Sequence, residues 1–186
     1  MSVTIIILIA VVSIAYILYA SLIRKKNKVK EASSGIDVQL KKRCDSIPNL
    51  LQAAAEFMSH EKELMNEITN LRTEAMKGSF SDNPRQAMQI ENELSEKLHA
   101  FNISVENYPD LKSNQTLLQA MNALAEAEES IAAARRFYNA AVNDLNNAVE
   151  IFPSSLIAKI LNIKQAIFFE ASNTDKKAIN VKDYLS

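Results

Sequence analysis

The chain opens with an unbroken apolar stretch that is followed at once by a cluster of basic side chains. No charged side chain occurs in residues 1–23. As a helix, the apolar run 3–23 would be about 31 Å long, and the hydrocarbon core of a bilayer is about 30 Å thick. Backbone amides in hydrocarbon must find their partners within the segment, so the run can only be a helix. The sequence therefore predicts a transmembrane anchor over residues 1–25 that contacts the bilayer through residues 3–23.

The position of the basic residues decides between a retained anchor and a cleaved leader. A signal peptide carries its positive charge before a shorter apolar run, whereas Arg24, Lys25, Lys26, Lys28 and Lys30 follow this one. The positive-inside rule places that basic end in the cytoplasm. We therefore expect a single-pass protein of the cell membrane, with its N-terminus outside and its helical domain in the cytoplasm.

Past the anchor, the pattern of apolar positions is helical almost throughout. The whole chain has only 2 Gly and 4 Pro, so the few that occur serve as element boundaries. We expect helices over about 26–77, 84–105 and 114–151, and a shorter one after Pro153. Pro48 falls inside the first of these, where it should kink the helix or restart it with Asp45 or Ser46 as the cap.

These helices predict an all-α fold, with an N-terminal transmembrane helix followed by an antiparallel four-helix-bundle-like domain of long helices. The bundle should cover residues 26–172, and residues 173–186 should form a disordered tail. The amphipathic segment of residues 157–169 has two interpretations. It either closes the bundle core or contacts the membrane or a partner.

The two longest predicted helices carry apolar stripes with alternating steps of three and four residues, as in coiled coils. Each stripe contains two charges, Arg43 and Glu61 on the first and Glu128 and Arg135 on the third. Because an unpaired buried charge costs several kcal/mol, opposite signs should pair, as Arg43 with Glu128 or Glu61 with Arg135. We interpret the four as a polar network that sets helix order and register. A ligand or partner site within the bundle is the functional alternative.

Charge and composition narrow the function classes. Five of the 21 basic residues lie in the first 30 residues, which hold no acid, so the remainder carries 16 basic and 22 acidic residues. An acidic domain is a poor partner for nucleic acid. The 2 histidines include His60, which lacks the second histidine four residues on that a helical zinc site needs. We expect no catalytic residues, no metal and no cofactor, and a single cysteine fits a reducing compartment.

Four short segments follow one another along the chain: residues 36–43 (IDVQLKKR), 108–112 (YPDLK), 131–139 (IAAARRFYN) and 152–154 (FPS). In this order they resemble the signatures of the LemA family. The resemblance implies a single-span, bacterial-type membrane protein with a mostly helical bundle and no established enzymatic activity. Some members are associated with specialised membrane compartments such as magnetosomes. The family's recurrent polar positions correspond here to Asp37, Arg43, Asn49, Glu61, Arg135 and Asn139.

These observations favour a membrane-anchored helical scaffold or adaptor that organises partners, or itself, at the membrane without catalysis. The partners would be other membrane or cytoplasmic proteins, and a homo-oligomer is a further alternative. A second hypothesis from a different class is a membrane-linked signal relay or sensor, in which the span and the first helix transmit a change through Pro48.

Overall fold

The computed structural model of the protein describes residues 2–112 and 114–170. The predicted tail over 173–186 lies outside the described residues. Six helices follow one another along the described chain: α1 Ser2–Ala55, α2 Lys62–Ala75, α3 Pro84–Val105, α4 Pro109–Lys112, α5 Gln115–Glu150 and α6 Ser154–Ile160. No strand occurs within these ranges. The all-α fold with a long apolar N-terminal helix is therefore as the sequence predicts.

Helix α1 joins the apolar stretch to the bundle without an interruption. Its 54 residues span about 80 Å. The side chains of residues 3–17 are exposed, whereas buried positions begin at Leu22 and recur along the second half of the helix. By length and composition, this is the one helix of the described chain that could cross a membrane.

The first predicted bundle helix is wrong in one respect, because the chain reverses between α1 and α2. We expected one helix over 26–77, but α1 ends at Ala55 and α2 begins at Lys62. Neither Gly nor Pro marks the turn, whose backbone is held by bonds from the amides of Phe57 and Met58 to the carbonyl of Ala54. The Met58 side chain is fully buried. The reversal lets α2 pack its apolar stripe on the rest of the bundle, which a continued helix would project into water.

Pro48 does not restart the first helix, and a contact from α2 explains how the helix continues. A proline at position 48 removes the amide that would donate to the Cys44 carbonyl one turn earlier. The Nε of Arg72 donates to that carbonyl instead, at 2.7 Å. Neither Asp45 nor Ser46 therefore has a helix start to cap. The hydrogen bond that proline removes within α1 is replaced by a tertiary one.

The bundle consists of the second half of α1 together with α2, α3 and α5. Helix α5 runs antiparallel to α1, since Lys28 pairs with Asp144 and Arg43 with Glu128, and α2 and α3 pack on each other beside this pair. The largest core cluster contains buried side chains from all four helices, among them Ile47, Ile68, Leu94 and Leu117. Pro84 occupies the first turn of α3, and the side chain of Asn83 accepts a bond from the Gln86 amide, so that start is as predicted.

The chain after α5 folds back along the bundle. Helix α6 packs Ala158 against Leu22 and Leu145, and residues 163–169 then continue without regular secondary structure. Phe169 is buried with Phe80 and Tyr138 in a second core cluster. The amphipathic segment therefore closes part of the core, but several of its apolar side chains stay exposed.

Candidate functional site

A buried cluster of charges lies where α1, α3 and α5 meet. The Arg43 guanidinium is at its centre, with a side chain that is 2% exposed. Its Nη1 pairs with the Glu91 carboxylate and donates to the Ser95 hydroxyl at 2.9 Å, and its Nη2 donates to Glu128 at 2.9 Å. The Arg135 Nη2 lies 3.2 Å from the same Glu91 oxygen. One carboxylate of α3 is thus held between guanidinium groups from α1 and α5.

The structure brings together three of the four charges that the sequence proposed for a network. Arg43 and Glu128 are in direct contact, whereas Arg135 pairs with Glu91 and not with Glu61. Glu61 instead precedes the first turn of α2, and its side chain makes no cap bond there. The Glu61–Arg135 alternative depended on one continuous helix over 26–77, and the turn after α1 removes that register.

Glu91 is the member of the cluster that sequence reasoning missed. Its side chain is 3% exposed, whereas that of Glu128 is 55% exposed. The same steps of three and four that were followed on the longer helices also run through α3, at Ala87, Glu91, Leu94, Leu98, Phe101 and Val105. Applying that test to α3 would have placed Glu91 inside the bundle.

The electrostatics of Glu91 combine burial with two cationic neighbours. Burial raises the pKa of the Glu91 carboxyl above its ordinary value, while Arg43 and Arg135 oppose the rise. Two positive and two negative groups make the cluster neutral when all are ionised. A shift of one turn between these helices would separate the pairs and leave a buried charge without a partner, which costs several kcal/mol.

Arg135 also links the cluster to the C-terminal segment. Its guanidinium lies over the Phe169 ring, 4.4 Å from the centroid, and that ring stacks on Phe80 at 5.2 Å. A cation over an aromatic face is attracted by the ring quadrupole. Arg135 therefore contacts both α3 and the last described part of the chain.

Two of the family-signature positions hold chain segments in place. The Asp37 carboxylate accepts bonds from the backbone amides of Phe80 and Ser81 and from the Ser81 hydroxyl, which fastens the α2–α3 loop to α1. Asn139 pairs with the Phe169 backbone, donating to its carbonyl at 3.0 Å and accepting from its amide at 2.8 Å. Asn49 is exposed on α1 and does not contribute to the cluster within the described residues.

Asn139 has a counterpart one heptad later that the sequence analysis did not identify. Asn146 makes the same two bonds to the Ala166 backbone, at 3.0 and 2.9 Å. Seven helical residues rise about 10.5 Å, and three extended residues span about 10 Å, so the two asparagines match positions 166 and 169. The Tyr138 hydroxyl adds a bond to the Ile167 carbonyl. The C-terminal segment is therefore held through its backbone.

An open cavity of about 920 Å³ lies between α1, α2, the loop after α2 and the start of α3. Its lining mixes acidic, basic and apolar side chains, including Asp37, Lys41, Cys44, Glu74 and Glu91. Burial, with a smaller contribution from Glu91, raises the pKa of the Cys44 thiol, so the thiol is protonated at neutral pH. No group of His, Cys, Asp and Glu suited to a metal ion occurs among the described residues.

Comparison with known proteins extends over most of the chain. The model of the LemA family matches residues 32–182. The protein LemA of Metamycoplasma hominis is 23% identical over 176 residues, which cover 92% of this chain and 80% of that protein. The magnetosome proteins MamQ 1 and MamQ 2 of Paramagnetospirillum magneticum are each 36% identical over 66 residues, 36% of this chain and 24% of theirs.

The family match begins within the packed half of α1 and includes α2, α3 and α5, every member of the buried charge cluster and both asparagines that hold the C-terminal segment. Because the model matches far more than half of the sequence, the chain belongs to the LemA family.

Proposed function

We propose that this protein is a membrane-anchored scaffold, which holds a helical bundle in a set orientation at the membrane and presents its outer faces to partner proteins or to a second copy. No catalytic step is part of this role. The LemA family is not known as an enzyme family. Among the relatives, two are by name magnetosome proteins, which supports a role in organising a membrane compartment.

The continuity of α1 carries the proposal. The exposed apolar part of α1 and its packed part belong to one helix without a break from Ser2 to Ala55. A flexible linker would let the bundle turn freely beneath the membrane, whereas a continuous helix restricts its tilt and rotation. The same helix pairs with α5 along most of the bundle, so the orientation of α1 is that of the domain.

The buried charges support a bundle with one arrangement. Arg43 of α1 reaches both Glu91 of α3 and Glu128 of α5, and sliding of α1 would separate these pairs. A relay needs two populated arrangements of the helices. The cluster favours the scaffold because every alternative register would bury a charge at a cost of several kcal/mol.

The proposed topology is a single span with the bundle in the cytoplasm. It rests on the basic residues that follow the apolar run, of which Arg24 and Lys26 are exposed on α1. Introduced cysteines at exposed sites would test it with a membrane-impermeant maleimide in intact cells. Protection until the membrane is opened agrees with a cytoplasmic bundle, and labelling of intact cells contradicts it.

Cross-linking in the native membrane tests the scaffold role itself. In a Cys44→Ala background, single cysteines replace exposed Glu93 of α3 or exposed Glu126 of α5, and a bifunctional thiol-to-amine reagent is added. A scaffold should give the same cross-linked species in repeated preparations from the cysteine on the face that contacts the partner. The cysteine at the other position is the matched control. Absence of any product from either face would contradict the proposal.

Distances within the bundle separate the scaffold from the relay. Spin labels on Lys42 of α1 and Glu93 of α3, both exposed, report the spacing between the α1–α5 pair and the α2–α3 hairpin. One narrow distance distribution in the membrane supports the scaffold. Two populations, whose ratio changes with membrane potential or with an added partner, would favour the relay instead.

A further inference from the structure

The end of the bundle beside the apolar part of α1 carries a compact apolar surface of its own. Four side chains at the end of α5 and on α6, which we name the α5–α6 tip, are largely exposed: Ile151, Phe152, Leu156 and Ile160, with exposed fractions of 60, 73, 53 and 82%. Exposed apolar patches of this kind mark contacts with a membrane or another protein.

The antiparallel pairing of α1 and α5 gives the level of the tip. Lys28 of α1 lies 3.4 Å from Asp144 of α5. Seven residues further along α5, about 10.5 Å, the chain reaches Ile151, and the same rise in the opposite direction on α1 leads to Ser21. Leu22 is buried against α5 and α6 at this level. The tip therefore lies beside the last turns of the apolar run 3–23.

The bundle also covers part of that run. From Leu18 onward, several α1 side chains are half-buried or buried by the bundle, so the fully exposed apolar length is residues 3–17. Those 15 residues rise about 22 Å, which is short of the roughly 30 Å of a bilayer core. The remaining length of about 8 Å corresponds to the level at which α6 and the end of α5 pack against α1.

We propose that the α5–α6 tip is a second membrane contact, in which its four exposed apolar side chains enter the leaflet that α1 leaves. The inference rests on the proposed membrane anchoring. The occupant of this surface is lipid, because the tip lies at the level of the last turns of the apolar run, a depth that α1 needs to be in hydrocarbon.

The charges near the tip agree with this placement. Arg24 and Lys26 are exposed on α1 just beyond the level of the tip, where they meet the headgroups. Lys159 of α6 is exposed, and a lysine can extend its ammonium to the interface while its methylene chain stays in the apolar layer. Glu150, the exposed acid directly before Ile151, accepts a hydrogen bond from Gln165. Gln165 lies on the segment that returns along the bundle away from the tip, so this bond draws the Glu150 carboxylate toward the bundle.

The natural chain contains no tryptophan, so single tryptophans can report depth in the full-length protein. The tip probes are Phe152→Trp and Ile160→Trp. Ile9→Trp in the apolar run tests the anchor, and Ile103→Trp is the matched control, since Ile103 is 59% exposed near the end of α3. Each variant is reconstituted in phosphatidylcholine–phosphatidylglycerol vesicles with and without dibrominated lipid, and its helix content is checked by circular dichroism.

The expected result is a blue-shifted emission and loss of fluorescence to brominated lipid at positions 152, 160 and 9, and neither effect at 103. Quenching at 9 without quenching at 152 or 160 overturns the tip contact and leaves the anchor intact. Absence of quenching at 9 overturns the anchor itself. A blue shift at the tip without lipid quenching would show that protein, such as a second copy, covers it, and would also overturn the inference.

Discussion

Replacing Glu91 with alanine should destabilise the bundle far more than replacing Glu128, although the stripes of the two longest predicted helices pointed only to Glu128. The Arg43 side chain is 2% exposed, and without Glu91 it loses its buried counter-charge. Leaving one charge of a buried pair uncompensated costs about 3–5 kcal/mol. Glu128 is 55% exposed, so water screens its pair with Arg43, and its removal should cost at most about 1 kcal/mol.

The assay is guanidinium unfolding of the full chain in detergent micelles, followed by circular dichroism. The two alanine variants are compared at a common denaturant slope, each relative to the natural chain. A double variant, Arg43→Met with Glu91→Leu, is the control for the cause of the loss. It removes both buried charges together, and Arg135, which loses its contact with Glu91, is 22% exposed, so the double variant should be clearly more stable than Glu91→Ala.

Equal losses for Glu91→Ala and Glu128→Ala would refute the reasoning, and so would a double variant as unstable as Glu91→Ala. The pH dependence of the unfolding free energy gives an independent check on the burial of Glu91. Because burial raises the pKa of Glu91 above 4.5, the folded protein holds this proton more tightly than the unfolded chain. Proton binding to Glu91 therefore stabilises the folded state fully below pH 4.5, and this stabilisation is lost as the pH rises through the pKa of Glu91 in the folded protein. Glu91→Gln should lack that part of the pH profile.

Three further predictions follow from individual contacts. Arg72→Leu should lower the free energy of unfolding by about 1–3 kcal/mol, because it leaves the Cys44 carbonyl without a donor. In a Pro48→Ala background, where the amide of residue 48 can donate to that carbonyl, the loss should be about half as large or less. Equal losses in the two backgrounds of this double-mutant cycle would contradict the contact. Asn139→Leu and Asn146→Leu should each speed proteolysis of the C-terminal segment in a time course, and the double variant should be cleaved faster than either; unchanged cleavage would count against the backbone pairing. The Cys44 thiol is buried and its pKa is raised, so its alkylation near neutral pH should be slow in the folded protein and fast in denaturant. Fast labelling of the folded chain would disprove the burial of Cys44.

Local sequence patterns were sufficient to predict those elements whose boundaries are set by nearby side chains. The start of α3 follows from Asn83 and Pro84, and its end at Val105 agrees with the expected helix. The apolar run and its basic flank likewise predict the exposed part of α1. These features depend on side chains within a few residues of one another, so the sequence around them contains the whole cause.

The turn between α1 and α2 and the passage of α1 through Pro48 depended on distant parts of the chain. The turn buries Met58 without any local breaker, and the helix at Pro48 continues because Arg72 arrives from α2. A local reading of proline cannot include a donor that lies 28 residues along the chain from the carbonyl it reaches.

The buried charge cluster was likewise predictable in part from the sequence and in part only from the tertiary structure. That Arg43 needs a buried partner follows from the heptad stripe alone, because a charge within an apolar seam cannot stay unpaired. Which carboxylate it meets depends on how far α2 and α3 turn back along α1. The sequence by itself determined the fold class, the long apolar N-terminal helix and the presence of buried charges, since these arise from periodicity and composition. Only the tertiary structure decided that Glu91 is the buried counter-charge and that the α5–α6 tip lies beside the apolar part of α1, because both depend on the relative levels of helices that are far apart in the chain.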